Sequence, residues 1–187
     1  MLRPDYPILT ERLSLRPFRD DDLDAFHAIQ SRPDVVRYLY WEPRSREQTE
    51  EMLGRRKGNV AIEREGDGLH LAVELREGGG LIGHFNLHYV SQEHGTGEIG
   101  FVVHPDHQGH GYAVEAARAL LRLGFGELGL HRIIGTCDDR NTSSARVLER
   151  LGMRREAHLI ENEFVKGEWT SELVFAMLER EWRALAG

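Results

Sequence analysis

The chain of 187 residues contains one cysteine, Cys137, so an internal disulfide is excluded and a reducing compartment is favoured. No apolar run approaches the ~20 residues that a membrane-spanning helix needs. The first residues also lack the apolar stretch of a signal peptide. The net charge is -7 at pH 7, and this acidic balance argues against nucleic acid as the principal ligand. We therefore expect a cytoplasmic protein with neither a membrane nor a nucleic acid as partner.

The composition is that of an ordinary globular protein, with 40% hydrophobic and 29% charged residues. The length suits one domain, which we place at residues 1–187. Hydrophobic periodicity predicts one strand, two helices, three mostly antiparallel strands, a helix, a strand, a helix and two strands. The predicted strands lie at residues 12–16, 69–75, 81–90, 96–104, 131–137, 153–165 and 172–178. The predicted helices begin near residues 23, 45, 114 and 141, with a further short one at 33–39.

The strands that contain Phe101 and Ile133 are joined through a helix, so they should run parallel in a right-handed crossover. The other neighbours are joined by short turns and should be antiparallel. The predicted fold class is therefore α/β, or α+β, with a mixed, mostly antiparallel sheet and helices on both faces.

A glycine-rich turn lies between the strand that ends near Pro105 and the helix that follows Gly111. Gly109 and Gly111 would let the backbone approach an anion closely, with free N–H groups and the positive helix end directed at a phosphate. A P-loop is disfavoured because Tyr112 and Ala113 replace its Lys-Ser/Thr pair. A dinucleotide fingerprint is disfavoured because its third glycine would fall at Val114.

The turn sequence Q-G-H-G-Y-A, residues 108–113, resembles the Q/R-x-x-G-x-G/A signature of the GNAT N-acetyltransferases. It is most similar to the variant found in the ribosomal-protein N-terminal acetyltransferase-like (RimJ/RimL-like) branch. Five other segments resemble that branch in the same order along the chain, at residues 10–17, 20–23, 130–133, 139–144 and 146–153. The resemblance implies a single GNAT domain whose parallel strands splay apart at their carboxyl ends.

The resemblance also implies an acetyl-CoA-dependent N-acetyltransferase whose acceptor is a primary amine, either the N-terminus of a protein such as a ribosomal protein or a small molecule. Acetyl-CoA is then the cosubstrate, and no metal is required. A homodimer is left open. The residues expected to bind the cosubstrate are Phe101, Val102, Val103, Gln108, Gly109, His110, Gly111, Tyr112, Ala113, Asn141 and Ser144.

Three residues are candidates for catalysis. Glu98 and Glu163 match positions of catalytic glutamates in relatives, and Ser144 matches a serine that protonates the thiolate in the ribosomal-protein branch. The tyrosine that is the usual acid is replaced by Leu148. Each candidate has a structural alternative: Glu98 as a solvent-facing strand residue, Glu163 as part of an acidic surface, and Ser144 as a first-turn residue after an Asn141 cap.

Other hypotheses stay open. His104, His107 and His110, together with Asp106, offer ligands for zinc, although Pro105 and the glycines make one helical face improbable. The missing tyrosine keeps open a non-catalytic module that binds an acyl-CoA as a sensor or interaction domain. Cys137 is interpreted as packing inside an apolar strand. Three aromatic residues are candidates for an acceptor pocket, with burial in the core as the alternative: Trp41, Phe164 and Trp169.

Overall fold

A computed structural model of the chain describes residues 1–186 and shows eight strands in one sheet. The strands are β1 (Ile8–Leu9), β2 (Leu13–Pro17), β3 (Gly68–Leu75), β4 (Leu81–Ser91), β5 (Thr96–Val103), β6 (Arg132–Asp138), β7 (Arg154–Val165) and β8 (Glu168–Leu178). The helices are α1 (Leu23–Gln30), α2 (Pro33–Val36), α3 (Arg46–Lys57), α4 (Tyr112–Arg122), α5 (Thr142–Arg150) and α6 (Glu179–Ala186). No helix in this part of the chain is long and apolar enough to cross a membrane.

The sheet has the order β1-β2-β3-β4-β5-β6-β8-β7, and only the β5–β6 pair is parallel. The predicted mixed sheet is confirmed, with its single parallel pair joined through α4. Several elements differ from the prediction: β1 and α6 are additional, α2 ends at Val36 instead of residue 39, and β8 begins at Glu168 instead of residue 172. A hairpin turn at Lys166 and Gly167, both with positive φ, lets β8 begin that early.

Helices cover both faces of the sheet, as predicted. On β3, Leu71 and Val73 lie in the larger apolar cluster with α4, whereas Ala72 lies in the smaller cluster with α1 and α3. Alternate residues of a strand point to opposite faces, so this division shows two separate cores. The same alternation continues through β4 and β5 and decides which side chains reach the site.

The apolar stripe Val114, Ala117, Leu121, Phe125 and Leu128 predicts one helix after the glycine turn. Instead, α4 ends at Arg122 and Leu123–Glu127 forms a π-helical turn, with the Leu128 N–H donating to the Leu123 carbonyl at 2.8 Å. Gly124 lies directly beneath Ile133, where a Cβ would come within 2.6 Å of that side chain. The wider turn therefore follows the sheet surface closely and still keeps Leu123 and Phe125 buried.

The parallel pair opens into a fork. β5 and β6 are paired only between Thr96–Glu98 and Arg132–Ile134. Beyond that point β5 stays on β4 as far as Val103, and β6 stays on β8 as far as Asp138. The splay implied by the family resemblance is thus present, and its open end lies where β5 leads into the glycine turn.

Candidate active site

The glycine turn presents a row of backbone donors. Gly109 and Gly111 have φ values of 80° and 83°, and Gly111 is the N-cap of α4 without a side-chain acceptor. Within residues 1–186, no protein acceptor is found for the N–H groups of residues 109–113. An added Cβ would meet nothing within 4 Å at Gly109. The glycines are therefore needed for their left-handed backbone, and the turn is open to an anion.

Side chains hold this turn in place from two sides. Gln108 Nε2 donates to the Val103 carbonyl at 3.0 Å and so ties the turn to the end of β5. Arg12 Nη1 donates to the His110 carbonyl at 3.1 Å, and its guanidinium lies 4.7 Å from the centre of the Tyr112 ring. Glu115 fixes Arg12 through an ion pair of 2.7 Å. Gln108 thus shapes the turn through its side chain.

A cavity of about 480 Å³ runs from the turn into the fork between α4 and α5. It is lined by every residue predicted to bind the cosubstrate except His110. The His110 ring instead stacks on Tyr112, with 5.5 Å between centroids, and borders a separate groove on the other side of α4. The predicted set therefore surrounds one cavity, with its N–H donors at one end and the fork at the other.

Four arginines on α4 and α5 border these cavities and were not singled out from the sequence. Arg118, Arg122 and Arg150 line the groove beside the turn, and Arg146 and Arg150 line the main cavity. None of the four takes part in an ion pair with the described residues. Their charges give this end of the molecule a local positive field despite the overall charge of -7.

A second cavity of about 220 Å³ lies across the fork and shares its lining with the first. Phe101, Val102, Asn141 and Ser144 border both cavities. Asn141 Oδ1 accepts a hydrogen bond from the Ser144 N–H at 3.1 Å, which makes Asn141 the N-cap of α5. The capping alternative is correct for Asn141, and Ser144 lies where the two cavities meet.

Acidic side chains lie at the far wall of the second cavity: Glu163 and Glu172 line it, and Glu98 lies behind Thr136, which also lines it. Glu98 projects from β5 toward β6, where Thr136 Oγ1 lies 3.5 Å from its carboxylate. Burial, and next the charge of Glu172, raise the pKa of Glu98. Burial also raises the pKa of Glu172. Glu98 is therefore not a freely solvated strand residue, and the pair provides carboxylates with enhanced basicity.

Glu163 lies on the same wall but at the rim. It accepts a hydrogen bond from the Tyr40 hydroxyl at 2.8 Å. Burial of the hydroxyl, followed by the hydrogen bond and charge of Glu163, raises the pKa of Tyr40. Glu172 was missed from the sequence because it was treated only as the start of a strand. The alternation along β8 could have found it, since Leu173 faces the core and its neighbour must face the fork.

The three aromatic candidates for an acceptor pocket lie in two different places. Trp41 lines the second cavity and donates from its indole nitrogen to Gln30 Oε1 at 3.1 Å. Phe164 and Trp169 pack edge to face near the tip of the β7–β8 hairpin and are 63% and 60% exposed. They line neither cavity, and burial in the core is wrong for both.

The zinc hypothesis is not supported by the side chains. The rings of His104 and His107 are 6.0 Å apart, and His104 Nδ1 accepts from the Asp106 N–H. Residues 1–186 contain no group of three or more potential ligands that could hold a metal ion. Cys137 packs against the core as expected, and burial raises the pKa of its thiol to about 11. Leu148 is buried at the position of the missing tyrosine.

Comparison with known proteins agrees with this architecture. The family model described as "Acetyltransferase (GNAT) domain" matches residues 12–154. The chain is 38% identical over 175 residues to "Uncharacterized N-acetyltransferase YnaD" of Bacillus subtilis, covering 94% of this chain and 98% of the relative. An acetyltransferase (GNAT family) structure from Bacillus anthracis superposes with a TM-score of 0.84 at 38% identity, covering 93% of this chain and 99% of that one.

A spermidine N-acetyltransferase from Vibrio cholerae, solved with CoA and spermine, shares the fold with a TM-score of 0.77 at 24% identity. The superposition covers 93% of this chain and 99% of the Vibrio cholerae chain. The predicted membership of the GNAT acetyltransferases is confirmed. These relatives do not assign the chain to the RimJ/RimL-like branch. The open fork, the glycine turn and the matched family together lead to one conclusion: this chain belongs to the GNAT family of acetyltransferases and is an enzyme of that class.

Proposed function

We propose that the enzyme transfers the acetyl group of acetyl-CoA to a primary amine, by direct attack while both substrates are bound. The observation that carries the proposal is the row of free N–H groups at residues 109–113, placed at the mouth of the fork. Such donors at a helix N-terminus suit a pyrophosphate. The fork then provides a narrow passage toward the acidic wall.

The cosubstrate supplies an activated acetyl group when bound, and the chain's own residues orient it. Near Val102 and Val103 the side of β5 that faces away from β4 has no partner strand, because β6 has diverged. The Val103 carbonyl is occupied by Gln108, so we propose that the remaining backbone groups there pair with amides of the pantetheine arm and polarise a carbonyl. Much of the rate can come from holding the two reactants in line.

Glu98 is proposed as the general base, with Glu172 raising its pKa. Both lie beside Thr136 in the fork, where an attacking amine must lose a proton. Roughly a tenth of a free α-amino group is neutral at pH 7, whereas a lysine side chain is almost wholly protonated. A carboxylate acting through one water molecule therefore suffices for an α-amine.

Ser144 is proposed as the acid for the departing thiolate. The structure has Ser144 at the junction of the two cavities, and its N–H is already satisfied by Asn141. The hydroxyl is therefore not needed for capping. Glu163 holds Tyr40 instead, so we propose a role for it at the acceptor rim and not in proton transfer.

Two acceptor classes are supported by different observations. The resemblance of the turn to the ribosomal-protein branch favours a protein N-terminus. Similarity to proteins named spermidine N(1)-acetyltransferase, at 23% identity over 178 residues, favours a small amine. The enclosed volume of about 220 Å³ at the acidic wall suits a small amine or the first residues of a peptide.

The test is thiol release from acetyl-CoA in the presence of a panel of amines, with product identified by mass spectrometry. We expect amine-dependent release and an acetylated amine. Thermal stabilisation by CoA without release for any amine would contradict catalysis and favour the non-catalytic binding module. Failure of CoA to stabilise the protein would contradict the assignment of the turn.

A further inference from the structure

The wall of the second cavity that faces the carboxylates is basic and incompletely paired. Arg56 projects from α3 to line this cavity, with its guanidinium 5.2 Å from the centre of the Phe26 ring. Burial, followed by the charges of Arg44 and Arg55, lowers the pKa of Arg56 to about 10. No carboxylate of residues 1–186 forms an ion pair with it. Arg56 is half-buried, and a cation that has lost much of its hydration is unfavourable without a counterion.

The polar contacts of Arg56 lack one acceptor. Arg56 Nη1 lies 3.0 Å from His84 Nδ1, and His84 Nε2 lies 2.8 Å from the amide nitrogen of Gln30. Gln30 accepts from the Trp41 indole at 3.1 Å. A neutral imidazole has one donor and one acceptor, as does an amide at its two ends. Arg56 and Trp41 stand at the two ends of this series of contacts, and both can only donate. One N–H therefore faces another N–H in either tautomer of His84 and either orientation of the Gln30 amide.

His84 cannot relieve the mismatch by protonation. It is fully buried, and burial together with the charge of Arg56 lowers its pKa well below the ordinary value. A second guanidinium reinforces the surplus of donors, because Arg44 lies over the Trp41 ring at 5.1 Å and its buried Nε has no partner. Arg44 itself lies behind the lining residues, so Arg56 is the cation that this wall presents to an anionic acceptor.

Three other basic side chains line the cavity. Arg37 lies over the Tyr38 ring, 5.2 Å from its centre, and the other two are held by polar partners. Arg140 pairs with Asp138 and Glu168, and Lys166 donates to the Val36 carbonyl at 2.7 Å. Glu98 and Glu172 keep no cationic partner among residues 1–186. The cavity is thus polarised, with the Glu172 carboxylate on the β8 side and the Arg56 guanidinium on the side of α3 and β4.

The two walls are separated by the fork. His84 lies on β4 opposite Val102, and Glu172 lies on β8 opposite Asp138. Three strand spacings separate β4 from β8, roughly 14 Å before the fork widens. A molecule that reaches both walls must therefore carry its charges several bonds apart, with the amine in the fork.

We infer that the acceptor is an amino carboxylate, whose amine enters the fork near Glu98 and whose carboxylate binds Arg56. The class comprises ω-amino acids and short peptides, in which several bonds separate the two groups. This inference rests on the proposed acetyl transfer and adds the chemistry of its acceptor. It differs from a polyamine, which would place a second cation against Arg56.

The test compares acids with their neutral amides. Acetyl transfer is measured with γ-aminobutyrate, glycylglycine and glycine, with the carboxamide of each, and with spermidine. For the wild type we expect kcat/KM for γ-aminobutyrate or glycylglycine to exceed that of its carboxamide by ~10–100-fold, the value of a hydrogen bond to a charged group. A higher kcat/KM for γ-aminobutyrate would indicate that the acceptor is a free ω-amino acid. A higher value for glycylglycine would indicate a short peptide.

Arg56→Gln is expected to lower kcat/KM for the acid by a similar factor and to leave the carboxamide within about threefold, so that the preference disappears. Arg56→Lys keeps the charge and should retain part of the preference for the acid. This variant keeps the inference testable if Arg56→Gln does not fold. Arg55→Gln is the matched control, because the neighbouring Arg55 is exposed and pairs with Glu51. It should leave the preference unchanged.

Equal use of acids and carboxamides, or preference for spermidine, would overturn the inference while leaving acetyl transfer intact. An acid preference that survives in Arg56→Gln would also overturn it. Absence of thiol release with every amine is a different result, because it contradicts the proposed function itself.

Discussion

Glu98 and Glu172 lie on different strands yet face the same threonine hydroxyl, and this arrangement makes a test of the base possible. We expect Glu98→Gln to lower kcat by ~10²–10⁴-fold, the usual contribution of a positioned base, with little change in KM for acetyl-CoA. Glu163→Gln is the comparison, because its carboxylate contacts Tyr40 at the rim. A larger loss in Glu163→Gln than in Glu98→Gln would reverse the two assignments.

The raised pKa of Glu98 also gives a pH dependence with a defined sign. The carboxylate is the active form, so kcat/KM should fall as pH decreases through a pKa above the ordinary value near 4.5. Removing the neighbouring charge in Glu172→Gln lowers that pKa, and the acid limb should move to lower pH. An acid limb that stays in place would show that another group titrates.

Gly111 has the most specific backbone requirement at the turn. In Gly111→Asp a carboxylate is introduced beside the five free donors, and we expect loss of detectable CoA binding by calorimetry. Gly66→Asp is the control, since Gly66 has a φ of 90° and open space around it, far from the site. Both variants should lose about 1–2 kcal/mol of unfolding free energy from the left-handed backbone. Unchanged CoA affinity in Gly111→Asp would contradict the phosphate assignment.

At the scale of the elements, the start of α5 links stability to cosubstrate binding. Asn141→Ala removes the cap and should cost ~0.5–2 kcal/mol of unfolding free energy. It should also weaken CoA binding, because Asn141 and Ser144 line both cavities. Ser45→Ala removes the cap of α3, whose capping box includes Gln48, at a similar cost in stability. CoA affinity should not change in that control, and equal effects of both variants would assign Asn141 to capping alone.

The order of elements and the glycine turn were predictable because they depend on local patterns. Alternation identified β3, β4 and β5, and the apolar stripe identified α4. The π-helical turn at Leu123–Glu127 was missed, since a single turn is too short to reveal its different apolar spacing. β1 was missed because two residues are too short to show alternation.

The basic wall of the second cavity could not be predicted from spacing. Arg56 lies in a helix rich in charged residues, and only its contact with His84 distinguishes it from the exposed Arg55. The pairing of Glu98 with Glu172 likewise depends on β6 lying between their strands. Sequence reasoning did not bring these residues together, because they are distant along the chain and become neighbours only through the sheet.

At the scale of the whole molecule, three histidines make stability depend on pH. Burial lowers the pKa of His70 to about 3, and it also lowers the pKa values of His84 and His88. The unfolded chain binds protons on these groups near pH 6.5, whereas the folded chain does not. Stability is therefore complete above that pH and is lost as pH falls toward the folded pKa values.

Each such histidine contributes up to ~1.4 kcal/mol per pH unit in this window. Urea unfolding measured from pH 7 to pH 5 should show this decline, and His70→Gln should reduce its slope. His94→Gln is the control, because His94 is exposed. A slope that is the same in both variants would show that His70 titrates normally in the folded protein.

Among the described residues, three pairs join β5 to β6, and beyond them the two strands are linked only by the apolar core beneath the sheet. A ligand arm lying between them would serve as the missing ladder, completing with its own amides the main-chain pairing that the protein leaves open. The second substrate would then enter a groove of which the inserted arm forms one wall.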